Sequence, residues 1–346
     1  MKKWLAGLVA VMMVLMAVCA VAQERVFVDD AGREVVLDEN IERIVVTGPL
    51  GQISVFAIAP EKLVGLCSAW DSAAAAYIEE EKYDLPVIGQ IYGGKGNVNL
   101  EALMATQPQV VIDVGEPRGD IVADLNALQE QTGLPFVHIS AYIDSLGKTY
   151  ARLGELLGME EEGKILSDYC AETYAKVKAL ADRVEKKRLL YVVGEVGLGV
   201  IAKGSYHSAV IDMLSDNLAV LESPSSKGTG NAVDLEQILN WNPDVILFSQ
   251  FDDFDVVGND PIWQAINAIA ENTYYEVPVG PYNWMGFPPG VQRLMGMLWM
   301  GKVVYPEAAD YDMYEETARH FELFYHCELT REQYDALMAN SVGKLN

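Results

Sequence analysis

The chain has 346 residues, half of them hydrophobic, and a formal net charge of −25. That length suits about two domains, each able to bury its own core. So acidic a surface argues against nucleic acid or anionic lipid as a partner, and it suits a dispersed protein whose docking target is basic.

Met1-Lys2-Lys3 is cationic, and Trp4 to Ala22 carries no charge. Ala20-Val21-Ala22 before Gln23-Glu24 is a small-x-small cleavage site, so residues 1–22 are expected to be a signal peptide. Met16-Ala17-Val18 is a poor lipobox for Cys19. Beyond the leader stand Cys67, Cys170 and Cys327, widely spaced and without a C-x-x-C pair. Free thiols are expected, with Cys67 and Cys170 buried.

Arg25–Asp38 reads as a hairpin turning at Asp29-Asp30-Ala31-Gly32. Strand-like and helical runs then alternate. Ile44-Val45-Val46 precedes Gly51–Ala59, and Leu63-Val64-Gly65-Leu66 precedes Ser72–Glu81. Val110-Val111-Ile112 precedes Ile121–Thr132, and Phe136-Val137-His138-Ile139 follows. Ser145–Lys187 is the longest helical stretch, broken near Gly158, with Ile165, Tyr169, Val177, Leu180 and Val184 as its apolar stripe. Lys186-Lys187-Arg188 is read as closing it with cations. The alternation resumes with Leu189–Val193, Ser208–Leu214, Val245–Phe248 and Pro261–Ile269. Helical runs over Val291–Val304, Met313–Tyr325 and Arg331–Ala339 finish the chain. Short apolar strands alternating with helices predict parallel sheets covered on both faces.

An internal echo sharpens this. Asn99-Leu100-Glu101 followed by Pro108 and Val110-Val111-Ile112 is matched by Asp234-Leu235-Glu236, Pro243 and Val245-Ile246-Leu247. In each, Asn or Asp caps a short helix and an apolar strand follows. The fold class expected is α/β, with two lobes, each a mainly parallel sheet flanked by helices. They are residues 23–158 and 188–346, joined by one long helix over 159–187, with the ligand cleft between them.

Gly89–Gly96 resembles a P-loop but has Gly96 where the metal-binding hydroxyl belongs. Gly197-Leu198-Gly199-Val200-Ile201-Ala202 matches a dinucleotide fingerprint, yet Lys203-Gly204 interrupts the required helix, so it is read as a strand-loop-strand turn. No G-x-S-x-G elbow and no H-E-x-x-H occurs. His138 is read as structural, and His320 and His326 as surface or packing residues. His207, beside Tyr206 at a loop-helix junction, is a candidate ligand contact.

Trp70, Tyr92, Tyr142, Tyr206, Tyr282 and Trp284 fall at element ends rather than on periodic apolar faces. If the strand tips of both lobes face one gap, these aromatics, with Pro49, Lys95, Arg118, Lys227 and Thr229, would line it. Aromatic walls with a few polar groups suit a large, planar or chelated ligand.

In its order of motifs the chain resembles the helix-linked class of periplasmic binding proteins that serve ABC importers for ferric siderophores, haem and cobalamin. The resemblance rests on Arg43-Ile44-Val45-Val46, on the two echoed segments, and on Pro278–Trp284 running into Pro288-Pro289-Gly290-Val291-Gln292-Arg293-Leu294. It implies a monomeric, non-enzymatic receptor without an intrinsic cofactor. It also implies that Glu101 and Glu236 dock onto arginines of the membrane permease. The ligand expected is an iron(III)-siderophore-like chelate, with a corrinoid or haem next and an oxyanion such as molybdate third. The site expected is the periplasm, or the cell surface if the host has one membrane. The rival expectation is an exported metal-dependent enzyme built on Glu116, Asp252, Asp253 and His207.

Overall fold

The computed structural model describes residues 23–91, 96–194, 197–225, 227–249, 257, 260–286, 288–339 and 341. The leader reading lies outside them. Among the described residues no helix is long and apolar enough to cross a membrane.

The chain opens on an antiparallel hairpin, β1 (Glu24–Val28) and β2 (Glu34–Asp38). The N-terminal sheet is parallel, in the order β3 (Ile44–Val46), β4 (Val110–Gly115), β5 (Phe136–Ser140). The strand expected at Leu63–Leu66 contributes only two isolated bridges, Ile44 to Leu63 and Leu66 to Val87, which extend the sheet outward. The 72–81 run, expected as one helix, is a 3-10 turn at Ser72–Ala76 and a single helical turn at Glu80–Tyr83. Helices α1 (Pro49–Ile58), α2 (Leu100–Ala105) and α3 (Ile121–Thr132) complete this layer.

The long helical stretch divides where its glycine predicts. α4 (Leu146–Leu157) ends at Gly158 in the left-handed conformation, and α5 runs over Glu160–Ala181. Lys186, Lys187 and Arg188 therefore lie past the helix end, and Arg188 opens β6 (Arg188–Val193). Of the expected stripe, Tyr169, Val177 and Leu180 are buried and Val184 is half-buried, but Ile165 is 56% exposed and Leu166 takes the inward position, with Cys170 and Thr173 also buried. α4 and α5 meet at two glycines. A Cβ on Gly163 would lie 2.8 Å from the Gly154 Cα and 2.8 Å from the Tyr150 carbonyl oxygen, so only glycine admits this approach.

The C-terminal sheet has the order β11 (Tyr274–Glu276), β10 (Val245–Phe248), β6, β7 (Gly199–Val200), β9 (Asn231–Ala232), with β8 (Asp216–Asn217) beside the start of β6. β10 and β11 run parallel to β6, while β7 pairs with it antiparallel, so the 197–202 segment is the return of a hairpin and no nucleotide turn. α6 (Ala209–Leu214) and α7 (Leu235–Trp241) flank it. Pro261–Ile269, expected as one helix, is a 3-10 turn and a single α-turn.

α8 (Arg293–Val304), α9 (Met313–Tyr325) and α10 (Arg331–Leu337) close the chain. The expected division at 188–346 is not clean, because α9 and α10 return to the N-terminal lobe. Phe321 meets Tyr77 edge-on at 5.0 Å, Phe324 meets Tyr150 at 5.4 Å, and the Gln333 amide donates to the Ala76 carbonyl. One buried apolar cluster accordingly runs from Val46 through Tyr150, Tyr169 and Val177 to Tyr191, Leu298 and Phe324. Cys67 and Cys170 are free and buried in it, and burial pushes the Cys67 thiol up to about 11. Cys327 is free and half-buried.

His320 sits within this cluster, stacked on Phe324 at 4.6 Å, with the Tyr169 hydroxyl 3.3 Å from its Nδ1. Burial drives its pKa down to about 3, against an ordinary 6.5. The unfolded chain therefore takes up this proton first as pH falls below 6.5, and the stability is lost progressively toward the folded-state value. His326, by contrast, is exposed and caps α9 in the left-handed conformation. In urea titrations, wild type should lose about 2 kcal/mol more than His320→Phe between pH 6.5 and 5. Equal pH slopes in the two proteins would remove His320 as the cause.

Candidate functional site

The carboxyl ends of β3 and β4 open onto one cavity of about 180 Å³. Thr47, Gly48, Pro49 and Leu50 follow β3, Asp113 to Glu116 and Arg118 form the end of β4 and the loop after it, and Gln90 adds an edge. Tyr206, in the loop beyond β7, closes it from the other lobe. Its hydroxyl donates to the Ala141 carbonyl just past β5, at 3.1 Å, so a hydrogen bond joins the lobes beside the cavity.

Local sequence explains the floor. Pro49 starts α1, its missing N–H harmless at a first-turn position, and Gly48 supplies no capping side chain. Gly51 lets the helix lie against the sheet, since a Cβ there would be 3.0 Å from that of Val46. The amino end of α1 therefore points uncapped backbone N–H groups toward the cavity, an arrangement that favours negative charge. Asp113 interrupts an apolar strand and is held from both sides: Thr47 Oγ1 donates to Oδ1, and His138 Nδ1 lies 2.7 Å from Oδ2. His138 is wholly buried, with Ser140 Oγ 3.3 Å from its Nε2. It has the structural role that the sequence suggests.

Of the residues predicted to line the gap, the structure gathers Pro49, Arg118 and Tyr206 into the cavity. Tyr142 is half-buried nearby; burial, then the neighbouring Glu116, Tyr206 and Asp144, raise its phenol pKa. His207 is buried behind Tyr206, its Nδ1 3.2 Å from the Gly286 carbonyl oxygen. Thr229 and Lys227 are exposed on the loop before β9 and do not line the cavity. Tyr92 and Lys95 lie outside the described residues, as do Asp252 and Asp253.

Three aromatics are corrected. Trp70 is buried against Phe56, 5.1 Å away, and donates to the Lys82 carbonyl. Tyr282 packs on Trp70 at 6.0 Å, and burial forces its phenol pKa upward. Trp284 is 1% exposed and donates to the Gly280 carbonyl at 3.1 Å. All three belong to the core that the lobes share; loops that cross such a core carry aromatics for packing. Sequence reasoning missed Thr47 and Asp113, although a carboxylate inside a Val-Val-Ile-Asp-Val run was a signal, since burying it requires partners.

Glu101 and Glu236 are both exposed in the first turns of α2 and α7. Asn99 and Asp234 cap those helices by accepting from the N–H groups of Ala102 and Gln237, so the echo is structural as well. Among the described residues no cluster of three or more His, Cys, Asp or Glu side chains could hold a metal ion.

The sequence profile of the periplasmic binding protein family matches residues 58–279, well over half of the chain. Among solved structures, the chain is similar to an ABC transporter solute binding protein from Sulfurospirillum deleyianum, with a TM-score of 0.83 and 23% identity over 91% of this chain and 99% of that one. It is also similar to a periplasmic solute binding protein from Veillonella parvula, with a TM-score of 0.77 and 24% identity over 92% and 98% of the two chains. The molybdate periplasmic binding protein MolA of Haemophilus influenzae, bound to molybdate, gives a TM-score of 0.69 and 23% identity over 88% and 99%. No curated protein sequence matches the chain. At these identities the structures speak for the fold, and the profile speaks for the family: the chain belongs to the periplasmic binding proteins.

Proposed function

We propose that this protein is an exported receptor that captures a compact metal chelate between its lobes and presents it to an ABC permease through Glu101 and Glu236. The observation that carries this reading is the cavity drawing residues from both lobes, with Tyr206 meeting the strand tips of the other side. A ligand held there bridges the lobes and alters the surface a permease reads. The two glutamates stand on matching capped helices, one per lobe, exposed and able to pair with arginines.

The cavity's size bears on the ligand. About 180 Å³ suits a small species, well below the several hundred Å³ of pockets for drug-sized molecules. A corrinoid or haem would be poorly served by so small a cavity, since Trp70, Tyr282 and Trp284, expected as its aromatic walls, are buried in the core. A small ferric chelate remains the leading reading. An oxyanion such as molybdate is the second, favoured by the uncapped amino end of α1 at the cavity floor.

Native mass spectrometry and metal analysis of protein purified from its own host should find a metal-bearing ligand below the mass of a corrinoid. Glu101→Lys with Glu236→Lys should abolish import in whole cells while leaving the ligand affinity of the purified protein unchanged; parallel loss of both would end the docking assignment. Trp284→Phe should lower the melting temperature yet leave affinity within about threefold, because a buried packing change costs stability without touching the cavity. A large affinity loss in that variant would return Trp284 to the ligand site.

A further inference from the structure

Behind the cavity lies a charge that the fold does not neutralise. Arg293, the first residue of α8, is 1% exposed. Its Nη1 donates to the Tyr206 carbonyl at 3.3 Å, and its Cζ sits 5.0 Å from the centre of the Tyr206 ring. Nε and Nη2 have no hydrogen-bond partner among the described residues. Burial lowers the pKa of this guanidinium, opposed by Tyr206 and then by the cavity's Glu116, yet an arginine stays protonated under any such shift. Two further buried groups on the same meeting segments, Ser205 Oγ and Gln292 Oε1, are likewise unpartnered. Unpaired buried donors on a charged group are among the most costly features a fold can hold, and they persist where something else is meant to use them.

Tyr206 stands between this charge and the cavity. Its ring lies on the guanidinium while its hydroxyl ties to Ala141 of the opposite lobe. Both contacts are single and weak enough to exchange for a ligand. We propose that Arg293 is the group that makes the site select an oxyanion, and that Tyr206 is the leaf covering it until the ligand displaces the ring. The ligand would carry its charge on oxygen, either as a free inorganic oxyanion or as the donor oxygens of an anionic metal chelate. It would take charge-assisted bonds from Nε and Nη2, which face no other acceptor, and the amino end of α1 would meet it from the floor. Glu116 lines the cavity and its charge also acts on this guanidinium, so an anionic ligand there would meet both. The inference rests on the cavity being the ligand site and adds the sign of the ligand's charge.

The test uses the full mature chain stripped of ligand, titrated by calorimetry with two sets of probes. The anionic set is molybdate, phosphate, ferric citrate and a ferric tris-catecholate; the uncharged set is a ferric tris-hydroxamate and cyanocobalamin. Wild type should bind at least one anionic probe and none of the uncharged ones, and which anion binds separates the free oxyanion from the chelate. Arg293→Met should weaken that probe about 100-fold, with Arg293→Lys between the two, as loss of two charge-assisted bonds requires. Met fills the volume of the buried stem without its charge, so folding should survive. Tyr206→Phe, which keeps the ring but frees the lobes, should tighten binding and raise the rate of association, and it serves if the arginine variants fail to fold. Binding within threefold in Arg293→Met, tight binding of an uncharged probe, or looser binding in Tyr206→Phe overturns the proposal. Binding of no anion overturns it too. The receptor reading then stands or falls separately, on whether the glutamate variants block import.

Discussion

The two lobes share the largest of their apolar clusters, and most of what the molecule can do follows from that. Tyr150 of α4, Tyr169 of α5, Tyr191 of β6, Leu298 of α8 and Phe324 of α9 belong to one buried cluster. Separating the lobes widely would expose it, at roughly 25 cal/mol for each Å² of apolar surface. The α9–α10 segment adds a second tie, running from the C-terminal side back to Tyr77 and Ala76. Lobes joined in this way can adjust by small rotations but do not swing apart. On the proposed reading, such a receptor meets its ligand with a gap already formed and rearranges only locally, at Tyr206, to admit it.

Polar groups are placed against that background. The strand tips of the N-terminal sheet carry Thr47, Asp113 and His138 in one hydrogen-bonded chain, each donor and acceptor matched. Such a chain fixes the floor of the cavity. On the other lobe the polar groups near the cavity are not matched: Arg293, Ser205 and Gln292 all keep unpartnered atoms. One side of the site is therefore a finished surface, and the other holds unused bonding capacity. That asymmetry, more than the size of the gap, distinguishes a binding site from a seam between domains.

Much of the architecture was legible because local signals agreed. The α9 boundaries match the sequence reading, since Asp312 caps the start and a left-handed residue stops the end. Gly158 breaks the long helical stretch where it was expected to. The hairpin at 193–200 was recoverable because Lys203-Gly204 cannot continue a helix. The failures have a common cause as well. Ile165 and Leu166 are both apolar, and spacing alone cannot say which faces inward when the partner surface is unknown. Trp70, Tyr282 and Trp284 occupy loops, and loops are ordinarily superficial. Here they run through the core between lobes, a property of the assembled pair that no local pattern encodes. Arg293 was visible only as part of a motif, because a buried arginine looks like any other until its partners can be counted.

The glycine pair where α4 meets α5 has a consequence for the gap some distance away. With no side chain on either Gly154 or Gly163, the two helices touch backbone to backbone. α5 also leads into the C-terminal sheet, with six residues between its end and the start of β6. A single methyl group at that crossing would act like a shim under one end of a beam. It would tilt α5 and reset the distance between Tyr206 and the strand tips, so the spacing that decides which ligand fits is set in part by two residues that never meet it.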